Sequence, residues 1–546
     1  MKNGTQKSGI ENIQKVFSAK YLLNLIREYN EGHKNDIRKI AVLVALGLVS
    51  ALILQERAGA GYFIVSFLVA AIILLLFYKD IRRYKPGYLG DYKMLLLLGI
   101  LVTGTLLTGR FFAYILSGLN RGLDFPDGIS FIFGIPIPMG AMLVALIFDF
   151  HTAIIFSFAI SLLTGIWLNN PFYPVYAFIG SLTAAFGVMR CRKRSALLKG
   201  GLYVSAVNVV TSGIILLLAG ALFSDAAPAS FLFAAVSGLM VAAIVSLVLP
   251  VIEYTFGITT DISLVELLDL DQPLMRNLMI TAPGTYHHSV IVGNLAEAAA
   301  EAVGANPLLA RVTAYYHDIG KIKMPEYFVE NQASTVSKHE KLTPHMSSMI
   351  LTSHVKEGIE LAKQYKLPRL VTDIIQQHHG TSLITYFYQK AIEQQTGDMV
   401  LQGNYRYPGP RPQTRVAAIV MMADAAEAAS RALTDPTPAR ISALVDRIIN
   451  NIFLDGQIDD CELTLKDISE VKRRFTYILT SIFHRRIEYP EFDLRPAPSI
   501  ARHESHSSDA LRTTLHAQRI NPDVFSAQDN GNSDKEQPKA HKDKPA

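Results

Sequence analysis

Eight apolar segments between Ile40 and Tyr254 constrain the fold of this chain more than any other feature of its sequence. They cover residues 40–55, 62–78, 94–118, 130–148, 152–168, 173–189, 202–223 and 231–254. A helix needs about 20 apolar residues to cross a bilayer, and each segment approaches or reaches that length. The sequence therefore predicts a polytopic α-helical membrane domain over residues 40–254, with about eight transmembrane helices. Pro136 and Pro138 are expected to break the fourth segment.

Basic residues are concentrated in alternate loops of this region. One group follows the second segment: Lys79, Arg82, Arg83, Lys85 and Lys93. Another follows the sixth segment: Arg190, Arg192, Lys193, Arg194 and Lys199. The intervening loops are poor in lysine and arginine, and loops rich in these residues usually stay in the cytoplasm. With an even number of crossings, both termini are predicted to be cytoplasmic.

The remaining composition restricts the function classes. The formal net charge of +5 is modest and many basic residues flank membrane segments, so no nucleic acid polymer is expected as a partner. Cys191 and Cys461 form no CxxC pair and are expected to be reduced. Residues 1–39 are predicted to be a cytoplasmic leader, with Ile10, Ile13, Phe17 and Tyr21 on one helical face. Residues 491–546 are predicted to be a largely disordered tail, because they are polar and lack hydrophobic periodicity.

A set of histidines and aspartates in the C-terminal half is centred on His317-Asp318. The other members lie on segments with helical apolar spacing: His288, His354, His378, His379 and Asp424. Imidazole and carboxylate groups without a nearby cysteine suit six-coordinate iron or manganese better than structural zinc. Asp318 has two oxygens and can bridge two metals, and two metals that share a hydroxide are a standard device for phosphoester hydrolysis. We therefore predict a site for two divalent metal ions, with iron or manganese expected.

The alternative for each of these residues is an ordinary role in the core or on the surface. Seven such residues on apolar helical segments would then leave several buried polar groups in need of partners. For His339 and His345, which stand apart from the set, the ordinary role is expected.

Six strings in this half resemble those of a known family. They are PGTYHHSVIVGNLAE, YYHDIGKIKMPEYFVENQ, QQHHGT, YFY, RYPGP and MMADAAEAASR. They are similar to the seven-transmembrane HD-domain phosphohydrolases of bacteria, and the resemblance runs from about Tyr84 to Pro490. Members of that family are membrane-bound cyclic-di-AMP phosphodiesterases. They normally carry a large extracytoplasmic sensor domain after the first membrane helix, where this chain has only residues 55–61.

The resemblance implies a specific ligand set and location. His288, His317 and Asp424 would hold one ion, and His354, His378 and His379 the other, with Asp318 bridging. The protein would lie in the bacterial cytoplasmic (inner) membrane. The predicted fold class is all-α: the membrane domain, a coupling linker over residues 255–283 and an all-helical cytoplasmic HD domain over residues 284–490.

Further residues are candidates for contact with the substrate. Lys321, three residues after Asp318, is expected to bind phosphate and to neutralise developing charge, which makes Asp318 and Lys321 the predicted catalytic residues. Arg431 lies two helical turns after Asp424 on nearly the same face, and it can bind phosphate or form a surface ion pair. Tyr386 can stack on adenine, with core packing as its alternative.

These features predict hydrolysis of cyclic di-AMP to linear pApA by a two-metal bridging hydroxide. One alternative is hydrolysis of cyclic di-GMP or of another nucleotide. HD enzymes specialised for cyclic di-GMP carry a GYP signature after the histidine pair. This chain instead reads HHGTSLITYFY at that place. Another is a catalytically silent membrane receptor that binds a nucleotide. The expected partners are the cyclic dinucleotide and the lipid bilayer, and a homo-oligomer is left open.

Overall fold

A computed structural model describes residues 19–55, 60–85, 92–122, 130–189, 191–332, 337–394 and 400–483. Within these ranges the chain is helical and forms no strand, apart from one isolated bridge between Leu383 and Arg406. The predicted all-α fold class is therefore confirmed. The predictions for Ile10, Ile13 and Phe17 and for the C-terminal tail concern residues outside these ranges.

Eight helices occupy the region predicted to be membrane. They are α1 (Ala19–Leu54), α2 (Ala60–Tyr84), α3 (Tyr92–Gly122), α4 (Pro138–Ile147), α5 (Phe150–Leu168), α6 (Tyr173–Val188), α7 (Ser195–Leu218) and α8 (Ala227–Phe256). Among the described residues, six of these helices are long and apolar enough to cross a membrane: α1, α2, α3, α5, α7 and α8. The protein is therefore a multi-pass membrane protein.

The other two helices, α4 and α6, are shorter than a full crossing. Helix α6 has 16 residues. The fourth apolar segment is broken as expected: a 3₁₀ turn at Ser130–Gly134 precedes α4, which has only 10 residues and begins at Pro138. A proline within a helix lacks the amide hydrogen that the preceding turn requires, so this break follows from the sequence. The count of eight transmembrane helices stays a prediction.

The C-terminal half consists of shorter helices joined by tight turns and several 3₁₀ turns. The α-helices are α9 (Asp261–Leu267), α10 (Pro273–Thr281), α11 (Pro283–Ala302), α12 (Pro307–Tyr316), α13 (Pro344–Gln364), α14 (Arg369–Gln377), α15 (Thr385–Glu393), α16 (Arg415–Ser430), α17 (Pro438–Leu454) and α18 (Leu465–Ile482). The 3₁₀ turns are Ile319–Lys323, Pro325–Tyr327, Val329–Asn331, Lys338–Lys341 and Gln402–Tyr405.

The segment predicted to be a coupling linker forms α9 and α10, and both pack into a hydrophobic cluster of the C-terminal half. Leu264 of α9 and Leu278 of α10 are buried in the same cluster as Tyr316 and Ile319. The Tyr316 hydroxyl also donates a 2.7 Å hydrogen bond to the carbonyl of Leu267. These helices therefore contact the residues that flank His317 and Asp318.

Helix α9 also contacts the membrane region. Ile262 is buried in the hydrophobic cluster formed by the membrane helices. Glu266 accepts two hydrogen bonds from the Arg194 guanidinium, at 2.5 and 3.1 Å. One short helix therefore packs against both the membrane helices and the residue that precedes His317.

Leu278→Ala is expected to lower the free energy of unfolding of the C-terminal half by about 2–5 kcal/mol, because a fully buried leucine leaves both lost contacts and a cavity. Leu278 is 0 % exposed, whereas its neighbour Met279 is 38 % exposed. Met279→Ala is therefore the matched control. Guanidinium titrations of the full chain in detergent, followed by circular dichroism, should show a lower midpoint for Leu278→Ala alone. Equal midpoints for the two variants would contradict the packing described above.

Candidate metal centre

Close approach of two segments brings the central ligands together. Helix α12 ends at Tyr316, so His317 and Asp318 leave it at its C-terminal end. Gly320 follows, and a side chain there would have its Cβ only 1.8 Å from the carbonyl oxygen of His354 on α13. Only glycine permits this approach of the two backbones. The Gly after the His-Asp pair thus brings α13 close enough for His354 to reach Asp318.

The structure brings all seven predicted metal ligands together. Their nitrogen and oxygen atoms form two groups, and the ligand atoms within each group lie within 4.8 Å of one another. The first group is His288, His317, Asp318 and Asp424, and the second is Asp318, His354, His378 and His379. Asp318 is the shared member. This is the division into two groups that the family resemblance implied.

The two carboxylate oxygens of Asp318 face different histidines. Its Oδ2 lies 3.1 Å from Nε2 of His317 and 3.7 Å from Nε2 of His288. Its Oδ1 lies 3.3 Å from Nε2 of His354 and 3.6 Å from Nε2 of His378. One oxygen is therefore available to each group, which is the arrangement that a bridging carboxylate requires.

Four histidines are oriented by a hydrogen bond from their Nδ1. Three donate to backbone carbonyls one turn earlier in the chain: His317 to Ala314 at 2.7 Å, His354 to Leu351 at 2.5 Å and His378 to Ile375 at 2.7 Å. The fourth, His288, hydrogen bonds through Nδ1 to the buried carboxylate of Glu427. Such bonds fix the tautomer and direct Nε2 of each ring into the site.

The carboxylates of the site are held in their ionised form. Burial alone would raise the pKa of Asp318, but His317 and Lys321 outweigh that effect and hold the pKa well below its ordinary value. The pKa of Asp424 is likewise lowered despite burial, because His288 hydrogen bonds to its carboxylate and the imidazole of His317 lies close to it. Ionised carboxylates are the form that coordinates a cation.

Two histidines of the second group are held neutral. Burial lowers the pKa of His354 to about 3. Burial and the neighbouring His378 lower the pKa of His379 well below its usual range. A neutral imidazole has a free lone pair and is the form that binds a metal.

Buried polar atoms test whether the residues present fit a metal. Nε2 of His317 and Oδ1 of Asp318 are buried and have no hydrogen-bond partner within the part of the chain that the structure describes. A buried polar atom without a partner costs about 1–3 kcal/mol. Divalent cations would satisfy both atoms, and imidazole and carboxylate groups are ligands of such cations. The site therefore fits divalent metal ions.

A cavity of about 660 Å³ opens over these groups. Lys321 and Arg431 line it, and their contact with the substrate stays a prediction. The Lys321 Nζ lies 2.7 Å from Asp318 and 2.8 Å from Glu330. The Arg431 guanidinium, just after the end of α16, pairs at 2.6 Å with Glu427 on that helix. Both cations thus reach the cavity while already paired with a carboxylate.

Tyr386 is not brought to this cavity. Helix α15 turns Phe387 and Ala391 into a hydrophobic cluster, so the side chain of Tyr386 is 67 % exposed and contacts the ring of Phe387. Phe328 and Tyr407 do line the cavity. The ring of Tyr407 stacks on His379 with 4.2 Å between centroids. Its signal in the sequence was the string RYPGP.

Glu427 is a functional residue that the sequence analysis missed. It is 2 % exposed and contacts both His288 and Arg431. Its signal was its position three residues after Asp424, one turn along α16. His339 and His345 take no part in the metal groups: His339 donates to the carbonyl of Tyr327 at 2.8 Å, and His345 lies against Tyr405.

Two family descriptions match consecutive parts of the chain. Residues 60–260 match the family described as a 7TM receptor with intracellular HD hydrolase, and residues 285–429 match the HD domain. The first match covers the membrane helices from α2 to α8. The second contains all seven predicted metal ligands.

Several known proteins are similar to this chain. The cyclic-di-AMP phosphodiesterase PgpH of Bacillus subtilis (strain 168) is 40 % identical over 365 residues, which are 65 % of this chain and 51 % of the relative. The protein of the same name from Listeria monocytogenes serotype 1/2a (strain 10403S) is 36 % identical over 444 residues, 80 % of this chain and 59 % of the relative. The chain thus spans between half and three-fifths of the length of these two relatives.

A crystal structure of the HD domain of L. monocytogenes PgpH is 46 % identical, with a TM-score of 0.38, and covers 39 % of this chain and 100 % of the solved chain. The same domain in complex with cyclic-di-AMP is 47 % identical, with a TM-score of 0.38 and coverage of 40 % and 100 %. The membrane match, the HD match and the two PgpH relatives agree: the chain belongs to the family of 7TM receptors with an intracellular HD hydrolase domain.

Proposed function

We propose that this chain is a membrane-bound, metal-dependent phosphodiesterase that hydrolyses cyclic di-AMP to linear pApA. The observation that carries the proposal is the pair of ligand groups that share Asp318. The two PgpH relatives are named as cyclic-di-AMP phosphodiesterases, which supports the choice of substrate. The membrane helices and the HD domain both fall within the regions of similarity, which supports an enzyme attached to the bilayer.

The residues of the site divide the work of hydrolysis. When bound, two divalent metal ions supply Lewis-acid charge and lower the pKa of a water so that a hydroxide nucleophile is available near neutral pH. Asp318 holds the two ligand groups together, since each of its oxygens faces a different set of histidines. Lys321 remains an ammonium ion, because Asp318 and Glu330 raise its pKa against the effect of burial. Its charge stabilises the negative charge that develops on the phosphoryl oxygens.

The metals we propose are iron or manganese. His288, His317, Asp318 and Asp424 would hold one ion, and Asp318, His354, His378 and His379 the other. Each group offers nitrogen and oxygen donors and lacks cysteine, which favours these metals over a structural zinc.

The cavity has the character that a dinucleotide needs. Its walls include the apolar side chains of Val329, Leu351 and Leu383, and its basic groups are Lys321 and Arg431. Apolar walls suit the faces of a nucleobase, and the guanidinium of Arg431 is a fixed fork of donors for phosphate. We therefore propose Lys321 and Arg431 as substrate contacts, with the apolar walls receiving the bases.

Cyclic di-AMP is expected to be cleaved with a higher kcat/KM than cyclic di-GMP. The PgpH relatives are named as cyclic-di-AMP phosphodiesterases, and this chain lacks the GYP signature after His379. The full chain in detergent, loaded with manganese or ferrous iron, should be assayed against both nucleotides and against linear pApA. Identification of the product by chromatography tests whether pApA accumulates. Higher kcat/KM for cyclic di-GMP would contradict the proposed substrate. Binding of cyclic di-AMP without turnover, whether the chain is loaded with manganese or with ferrous iron, would instead identify a silent receptor.

The proposed location is the bacterial cytoplasmic (inner) membrane, with both termini and the HD domain in the cytoplasm. This orientation is supported by the basic residues after the second and sixth apolar segments. In this orientation the metal centre faces the cytoplasm. A homo-oligomer, which the sequence leaves open, stays open.

A further inference from the structure

His379 is oriented differently from the other histidines of the metal centre. His288, His317, His354 and His378 each engage Nδ1 in a hydrogen bond that directs Nε2 inward. Within the described part of the chain, His379 makes no such bond, and its Nδ1 instead lies 3.6 Å from Asp424 within the site. The position of this ring therefore depends on its contacts with the rings of Tyr407, His378 and His354 and on the turn that follows it.

That turn contains a glycine with positive φ, and a side chain from another part of the fold hydrogen bonds to it. Gly380 has φ of +53°, in the left-handed region, and its amide bonds to the carbonyl of Gln377 at 2.9 Å. The next residue, Thr381, donates its amide to Oε1 of Gln457 at 2.8 Å. The Thr381 hydroxyl exchanges two further contacts with the same side chain, at 3.2 and 3.0 Å. A Cβ at position 380 would lie 2.5 Å from Oε1 of Gln457, so the contact is close-packed.

Gln457 is itself fixed by neighbours. It is 1 % exposed, and its Nε2 donates to Asp455 at 2.7 Å. Asp455 receives a bidentate pair from Arg406, at 3.0 and 3.1 Å, and Arg406 also donates to the carbonyl of Thr381 at 2.8 Å. The turn after His379 is thus bonded on both its amide and its carbonyl side. Gln457 is the buried member of this network, and Arg406 and Asp455 are its partly exposed members.

We propose that Gln457, with Asp455 and Arg406, is a positioning residue that sets the place of the metal ligand His379. Gln457 follows α17 in the α17–α18 hairpin, which lies beyond the residues matched by the HD domain. This inference rests on the two-metal site of the proposed function. It adds that the placement of His379 depends on a hairpin with no ligand of its own. The hairpin helices also pack against the helices that carry His288 and Asp424. The side-chain hydrogen bonds of Gln457, however, go only to Thr381 and Asp455.

The test is manganese binding to the full chain in detergent, measured by calorimetry and by electron paramagnetic resonance of the coupled ion pair. In Gln457→Leu, one of the two manganese equivalents is expected to bind at least tenfold more weakly, while the other stays within twofold. The coupled signal should be lost at manganese concentrations that saturate the wild type. Lys472→Gln is the matched control, because Lys472 joins α18 to α17 through Asp446 and Asn450 without contacting the turn. It should bind both equivalents as the wild type does.

A double-mutant cycle separates positioning from general stabilisation. Adding Gln457→Leu to His379→Ala should weaken manganese binding by no more than about threefold beyond His379→Ala alone, because the ligand that Gln457 positions is already gone. Additive effects would overturn the proposal, as would equal weakening of both equivalents in Gln457→Leu.

A milder variant and the wild type complete the design. If Gln457→Leu does not fold, Asp455→Asn takes its place, because the Asp455 side chain is 35 % exposed. This variant should show a smaller loss of manganese affinity, confined to one equivalent. Unchanged manganese binding in Asp455→Asn would overturn the proposal. Fewer than two manganese equivalents in the wild type would instead defeat the proposed function. Two equivalents in wild type and in Gln457→Leu, with equal affinities, would defeat only this inference.

Discussion

Asp318→Ala is expected to abolish hydrolysis, with kcat lowered by about a thousandfold or more, which corresponds to roughly 4 kcal/mol of barrier. Asp318 is 1 % exposed and is the residue shared by both ligand groups. Its removal takes one oxygen from each group at once, so bound metal should fall below two equivalents. Metal content by atomic emission and turnover of cyclic di-AMP should be measured on the same preparation of the full chain.

The control for this variant is Asp446→Ala. Asp446 is 54 % exposed on α17 and pairs only with Lys472 among the described contacts. Circular dichroism should show nearly unchanged helical content for both variants, and only Asp318→Ala should lose metal and activity. Full activity in Asp318→Ala, or in enzyme stripped of metal, would rule out the two-metal mechanism.

Glu427→Ala is expected to lower metal affinity or kcat/KM by about 10–100-fold, the usual effect of removing a partner that orients a metal ligand. The change leaves Nδ1 of His288 without its carboxylate. It also leaves the Arg431 guanidinium, which pairs with Glu427 at 2.6 Å, unpaired at the wall of the cavity. Glu427→Gln keeps the shape and an acceptor oxygen, so its loss should be several-fold smaller.

Glu297→Ala provides the comparison, because Glu297 also pairs with an arginine, Arg311 at 2.9 Å, but lies outside the metal centre. Manganese titrations and initial rates on all three variants test whether Glu427 orients His288. Wild-type affinity and rate in Glu427→Ala would show that His288 needs no orienting partner. A similar loss in Glu297→Ala would show that the effect reports on helix packing instead.

Much of the metal centre could be predicted from the sequence because its ligand types are distinctive. His288, His317 and Asp424 stand on segments whose apolar spacing predicts buried helix faces, and a buried imidazole or carboxylate needs a partner. The division into two groups came from the family resemblance, and the geometry is consistent with it. Residue type, burial pattern and motif all pointed to one site.

The residues that support the ligands could not be found in the same way. Glu427 and Gln457 are ordinary polar residues in sequence, and only tertiary contacts show that each is almost fully buried. Tyr386, a candidate for stacking on adenine, is exposed, whereas Tyr407, to which the sequence analysis assigned no role, lines the cavity. Aromatic residues favour burial in general, but the orientation of α15, not composition, decides which ring faces the cavity.

The membrane region shows a related limit. Apolar length predicted eight segments, and eight helices lie there, yet two of them fall short of a full crossing. The proline break before α4 was visible in Pro136 and Pro138. What happens to a broken segment depends on the helices that pack around it, and that information is not local in sequence.

The packing of α9 and α10 has a practical consequence for where the catalytic unit begins. The HD match starts at residue 285, but Leu264, Leu274 and Leu278 supply part of the cluster that contains Tyr316 and Ile319. A soluble fragment cut at residue 284 would expose this apolar surface beside the ligands His317 and Asp318. A fragment intended for crystallisation or enzymology should therefore start before Asp261, so that the whole of α9 is retained with its hydrogen bond to Tyr316.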